Sequence, residues 1–221
     1  TQNKLPIWKR NLRVLAVAVF IAGIAFSEVM PFLPLYINTL GTFSHQQLNM
    51  WAGLVFSGIY FVSAFVSPWW GKLADKKGRK LMILRASLGM AIVLAAMGLV
   101  TNVWQLFLLR MTQGFFAGFV SNSNALIATE TPKDKSGQAL GTMASSFTAG
   151  NLLGPFVGGA LASIFSYRVT FFITGFLLLV AFFLSLVFVH EDDFKPVTRK
   201  DLESSKGVIK ALKHPRMIFG L

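Results

Sequence analysis

Apolar runs of about 20 residues or more, the length a helix needs to cross a bilayer, recur near 14–37, 48–70, 81–100, 103–127, 138–164 and 168–189. Short polar gaps separate them: "NTLGTFSHQQ", "GKLADKKGRK", "TN", "TETPKDKSGQ" and "FSYR". The pattern predicts an all-α membrane protein with six spanning helices in one bundle over residues 1–190. The first run is longer than a signal-peptide core and ends in Pro31 and Pro34, not in a small-residue cleavage site. Beyond the sixth run the chain turns polar. Residues 191–214 are expected to form a cytoplasmic linker, either an amphipathic surface helix opened by Thr198 and Asp201 or a flexible tether through Ser204, Ser205 and Gly207. Residues 215–221 then read as the start of a truncated seventh span.

Charge gives the runs a direction. Of the 21 Lys and Arg, all but Arg110 and Arg168 precede span one or follow spans two, four and six. Cytoplasmic loops collect Lys and Arg, so both ends are expected in the cytoplasm, with the bilayer being a bacterial plasma membrane. Aromatic anchors agree: Trp8, Trp69 and Trp70 fall at cytoplasmic span ends, and Tyr36, Trp51, Trp104 and Tyr167 at outer ones. The net charge of +12 does not imply nucleic acid, because the basic residues sit in gaps between spans. Hydrophobic residues make up 54% of the 221 and charged residues 14%, well below the quarter or so of a soluble domain. With no cysteine, a disulfide framework and a thiolate metal site are excluded. No nucleophile–base set, metal cluster or phosphate loop is legible, so neither an enzyme nor a cofactor or metal is expected.

An internal echo bears on topology. Pro68 and Gly71, at the end of span two, recur as Pro155 and Gly158 in span five, each 87 positions on. Each pair lies in the middle helix of a three-helix set, and the second set crosses in the opposite sense because three is odd. Inverted three-helix repeats are a recurrent way to build half of a secondary transporter.

Three stretches and one lone acid carry the candidate chemistry. In "GKLADKKGRK" a single acid stands among five basic residues. Gly78 permits a tight reversal there, and Asp75 either accepts from a helix start or pairs with Arg79. Span four contains Arg110 in "LLRMTQGFFAGF", with Gln113, Gly114 and Gly118. A charge inside a span costs at least about 2.5 kcal/mol, so Arg110 needs a wet cavity or a polar partner. Asn122 and Asn124 downstream either line a solute path or bond across helices. In span five, "AGNLLGPFVGG" sets Gly150, Gly154 and Gly158 at four-residue spacing, with Asn151, Pro155 and Gly159 among them. Such a face admits a second helix closely.

Glu28 is the one acid well within a span, roughly 21 Å along it at 1.5 Å per residue. Burial penalises the charged form of a carboxyl, so Glu28 is expected to carry a coupling proton, to face a cationic substrate, or to alternate between both. The structural alternative is an acid satisfied by pairing with Arg110. Gln113, Asn122, Asn124, Asn151 and Tyr60 are the candidates for lining a substrate cavity; Tyr60 alternatively packs with its hydroxyl on a neighbouring helix. The Phe residues, among them Phe20, Phe26, Phe32, Phe115, Phe116, Phe119 and Phe147, suit an apolar cavity for lipophilic compounds, although most pack or face lipid.

These motifs resemble the major facilitator superfamily. Gly71, Leu73, Ala74, Asp75, Gly78, Arg79 and Lys80 match its G-x-L-A-D-x-x-G-R-K signature between spans two and three. The resemblance implies that this element latches the cytoplasmic side against the other half of a transporter. Arg110, Gln113, Gly114 and Gly118 are similar to a second signature, which implies proton handling by Arg110. Gly150, Gly154, Pro155, Gly158 and Gly159 are similar to a third, which marks exporters that exchange a substrate for protons. With "FSEVMPFLPLY", "NMWAGLVFS", "GRKLM" and "SNSNAL" in order, the likeness runs along essentially the whole chain, within the twelve-span drug:proton antiporter family. It implies the N-terminal half of a proton-coupled multidrug exporter working by alternating access, its partners the bilayer, a C-terminal six-helix half, a small-molecule substrate and protons. A metabolite or sugar exporter, or a non-transporting six-helix module, stays open. The resemblance does not require an acid at position 28, so that assignment rests on burial alone.

Overall fold

The computed structural model describes residues 6–191. Apart from Glu191, the expected linker and the start of a seventh span lie outside the described residues. Within them the chain forms eight helices and no strand: α1 (Ile7–Ser27), α2 (Leu33–Thr39), α3 (His45–Lys77), α4 (Arg79–Met97), α5 (Val103–Phe115), α6 (Phe119–Glu130), α7 (Ser136–Ile164) and α8 (Tyr167–Phe188). Helices α1, α3, α4, α7 and α8 are each long and apolar enough to cross a membrane. The six expected spans map onto them, with span one assembled from α1 and α2 and span four from α5 and α6.

Polar residues at the gaps start several helices. Ser44 opens α3 with a capping box: its hydroxyl accepts from Gln47 N–H at 3.3 Å, while Gln47 Oε1 accepts from Ser44 N–H at 3.0 Å. Asn102 and Ser166 cap α5 and α8 in the same manner. Pro68 and Pro155 lie inside α3 and α7 without ending either helix.

The two interrupted spans break for different reasons. Pro31 has no N–H to give the preceding turn and disfavours helix at Met30, so α1 stops and α2 restarts around Pro34. Span four breaks at Gly118, whose φ of 111° is open to glycine and costly for other residues. Pro31 and Gly118 are themselves 87 positions apart, the offset of the proline–glycine echo.

Packing repeats this symmetry. Span one lies against span five as span two lies against span four (α1 on α7, α3 on α5). Span one meets span six as span four meets span three, and spans three and six pack on each other. Each helix contact has its counterpart when the first three spans are exchanged with the last three. The core between them holds Leu15, Val19, Tyr36, Leu94, Phe119 and Phe171. Tyr36 corrects an expectation: it is buried, not an interfacial anchor, because its hydroxyl donates to Met97 O at 2.7 Å.

Candidate functional site

Glu28 caps the C-terminus of α1, its N–H bonded to Ile24 O at 2.9 Å, and its side chain is fully buried. Oε1 meets the hydroxyl of Thr174 on α8. Oε2 has no hydrogen-bond partner among the described residues. Helix α7 offers Glu28 only glycine at this point. A Cβ on Gly158 would stand 2.8 Å from the Glu28 carbonyl carbon and Cβ, and one on Gly154 would stand 3.0 Å from its nitrogen. The glycine stripe of span five is therefore the surface on which the Glu28 turn rests, with Gly150 meeting Gly23 a turn and a half earlier in α1.

Arg110, on α5, is 5% exposed, and its Nη1 donates to Gln113 Oε1 at 3.1 Å. Its Nε has no partner among the described residues. Glu28 is the buried acid whose charge, when ionised, reaches it. No hydrogen bond or ion pair joins Arg110 to Glu28: Gln113 holds the guanidinium, and Thr174 holds the carboxyl. Each keeps a bare polar atom.

The signature between spans two and three forms a folded cluster. Asp75 pairs with Arg79 at 2.7 Å, and Arg79 Nη1 reaches Asn122 Oδ1 at 3.4 Å. Gly78 makes the reversal with φ 94°. The start of α4 is taken by Glu191 instead of Asp75: Arg79 N–H and Lys80 N–H donate to its two carboxylate oxygens at 2.8 and 2.9 Å.

The same cluster supports the break in span four. An interrupted helix leaves carbonyls without partners, and in a membrane these must be satisfied by protein. Here the indole of Trp70 donates to Phe115 O at 2.9 Å, Arg85 donates to Ala117 O at 2.7 Å, and the Asn122 amide donates to Gly118 O at 2.7 Å. The Arg85 guanidinium lies 3.7 Å over the Trp70 ring. Through Arg79 and Asn122 the loop between spans two and three and the break in span four are joined.

The expected cavity residues divide. Gln113 and Asn122 are buried and committed to Arg110 and to the break. Asn122 therefore takes the cross-helix reading. Asn124 keeps a buried Oδ1 without a partner, and Asn151 is half-buried on α7 beside Gly23. Tyr60 is 62% exposed with its ring against Phe56, and its hydroxyl bonds no neighbouring helix. Phe32 and Phe119 are core residues, and Phe26 packs edge-on against Phe147. Phe20 lines an open groove of about 390 Å³ between α1 and α7, with Val17 and Ser146. Gly71 and Gly159 face open space. Sequence reasoning missed Thr174, Trp70, Arg85 and Glu191 as site residues. Only Thr170 and Thr174, four apart in the apolar run of α8, left any trace.

Comparison with known proteins follows this geometry. The chain is 52% identical over 220 residues to the Multidrug resistance protein MdtG of Citrobacter koseri, covering 99% of this chain and 54% of that protein. It is 50% identical over 221 residues to the protein of that name from Escherichia coli (strain SMS-3-5 / SECEC), covering 100% and 54%. The chain thus spans about half the length of the curated relatives it matches. The human organic anion transporter MFSD10 superposes with a TM-score of 0.71 over 85% of this chain and 49% of its own, a likeness of fold at 19% identity. Its apolar helices and these relatives make it an integral membrane protein. The profile of the Major Facilitator Superfamily matches residues 15–221, and the chain belongs to that superfamily.

Proposed function

We propose that this chain supplies one half of a multidrug exporter that expels lipophilic or cationic compounds from a bacterial cell in exchange for protons. The second half is a further six-helix bundle, and the passage runs between the two. Both ends of the six-span unit face the cytoplasm, as its Lys and Arg distribution requires. The observation that carries this reading is the buried Glu28 carboxyl with an unpartnered oxygen, set at the break of span one. A proton on Glu28 and a cationic or polarisable substrate compete for that oxygen. Only one is held at a time, which couples their opposite movements. The relatives named multidrug resistance proteins favour drug-like substrates over a sugar or other metabolite.

The test is export from cells expressing the full-length protein, with and without an uncoupler. Wild type should lower accumulation of a fluorescent lipophilic cation, and the uncoupler should abolish the difference. Glu28→Gln should lose proton-driven export while substrate binding to the purified protein remains measurable. Undiminished export in that variant would remove Glu28 from the mechanism. No energy-dependent difference for any compound would favour the non-transporting reading.

A further inference from the structure

The Thr174 hydroxyl has one proton and two acceptors within reach: Thr170 O at 2.9 Å and Oε1 of Glu28. A single O–H donates to one acceptor at a time. When Glu28 is ionised, the hydroxyl turns to the carboxylate in a charge-assisted bond. When Glu28 is protonated, the carboxyl O–H donates to Oγ1, and the hydroxyl donates onward to Thr170 O. Both states are satisfied without moving a helix, because a hydroxyl both donates and accepts. Valine has nearly the same shape and does neither.

The surroundings leave Thr174 alone in this role. Helix α7 presents Gly154 and Gly158 to Glu28, and α8 presents Thr174. From α5, Arg110 acts on Glu28 through its charge without a hydrogen bond. The Tyr36 hydroxyl of α2 is spent on Met97 O. We propose that Thr174 is the positioning residue of the proton-carrying carboxyl, its hydroxyl reversing from donor to acceptor each time Glu28 takes up a proton. This inference rests on the reading of Glu28 above and adds the residue that makes both of its states tolerable in an apolar bundle.

The experiment uses the full-length transporter in lipid vesicles, as wild type, Glu28→Gln, Thr174→Val and Thr174→Ser. A pH jump followed by infrared difference spectroscopy gives the carboxylic C=O band that Glu28→Gln removes. Thr174→Val should move that band and the midpoint of the pH profile of proton-driven transport. Its transport should fall about tenfold, the scale of a lost hydrogen bond to a charged group. Thr174→Ser should behave as wild type, and Thr174→Ala serves should the valine variant not accumulate. An unmoved band and pH profile in Thr174→Val, or a serine variant as impaired as the valine one, overturns the role of Thr174. Retained proton-driven transport in Glu28→Gln overturns instead the reading of Glu28, a separate result.

Discussion

Arg110 and Glu28 show how far single residues can be read from sequence in a membrane protein. A charge in an apolar run is legible, because lipid makes it costly and only function or a partner retains it. The partners were not legible. Arg110 bonds Gln113, three residues on in its own helix, and Glu28 bonds Thr174, which lies far along the chain. A threonine in a spanning helix ordinarily bonds its own preceding turn, as Thr174 does with Thr170 O, so its second contact leaves no mark in sequence. The spare atoms lead to a prediction about stability. Arg110→Gln gives up one modest side-chain bond, about 0.6 kcal/mol within a membrane bundle. It also sheds the cost of holding a charge with a bare Nε. The melting temperature of the purified full-length variant should hold or rise, while proton-driven transport falls by roughly tenfold or more. A melting temperature several degrees lower with transport intact would make Arg110 a structural residue.

At the scale of the helix, the six spans were legible from apolar run length, but both interruptions were not. Pro31 was read only as the end of an apolar run, and it divides span one into α1 and α2. Gly118 is one of two glycines in span four, and its positive φ becomes evident only with the carbonyls that Trp70, Arg85 and Asn122 satisfy around it. Trp70 and Arg85 each also serve a backbone acceptor, which their sequence positions do not reveal. The glycine stripe of α7 was legible as a packing face, although not what it packs on. Gly158 and Gly159 are adjacent, yet only Gly158 meets α1. Gly158→Ala should therefore push Glu28 from its place and cost about 1–3 kcal/mol, as overpacking does. Gly159→Ala should lie within about 0.5 kcal/mol of wild type. Thermal unfolding of the two purified variants compares them directly, and equal midpoints would mean that α1 does not rest on this stripe.

The whole molecule adds a constraint that neither residue nor helix supplies. Every helix contact has a counterpart under exchange of the two three-helix sets, so the bundle is internally complete as an inverted pair. Its surface shows a second requirement. Phe61, Phe65 and Trp69 on α3 and Leu152 and Phe156 on α7 stand largely exposed, on the two helices that carry the proline–glycine echo. Lipid covers such side chains as readily as protein does, so exposure alone does not separate the two coverings. Gly71 does. It opens the signature at the cytoplasmic end of α3, yet a Cβ there would meet nothing within 4 Å. The fold of this bundle makes no demand for glycine at 71, nor does φ, since the positive values among the described residues are at Gly78 and Gly118. On the proposed exporter reading, a small residue is wanted there by a surface outside this bundle, that of the second half as the passage closes at this end. Gly71→Leu should leave accumulation and melting temperature close to wild type, within the roughly 0.5 kcal/mol of an exposed substitution. Transport should nevertheless be lost. Cysteine pairs across the cytoplasmic mouth of the full-length protein should cross-link readily in wild type and poorly in the variant. Normal transport by Gly71→Leu would show that nothing docks on this end of α3, and the latch would have to lie elsewhere on the bundle.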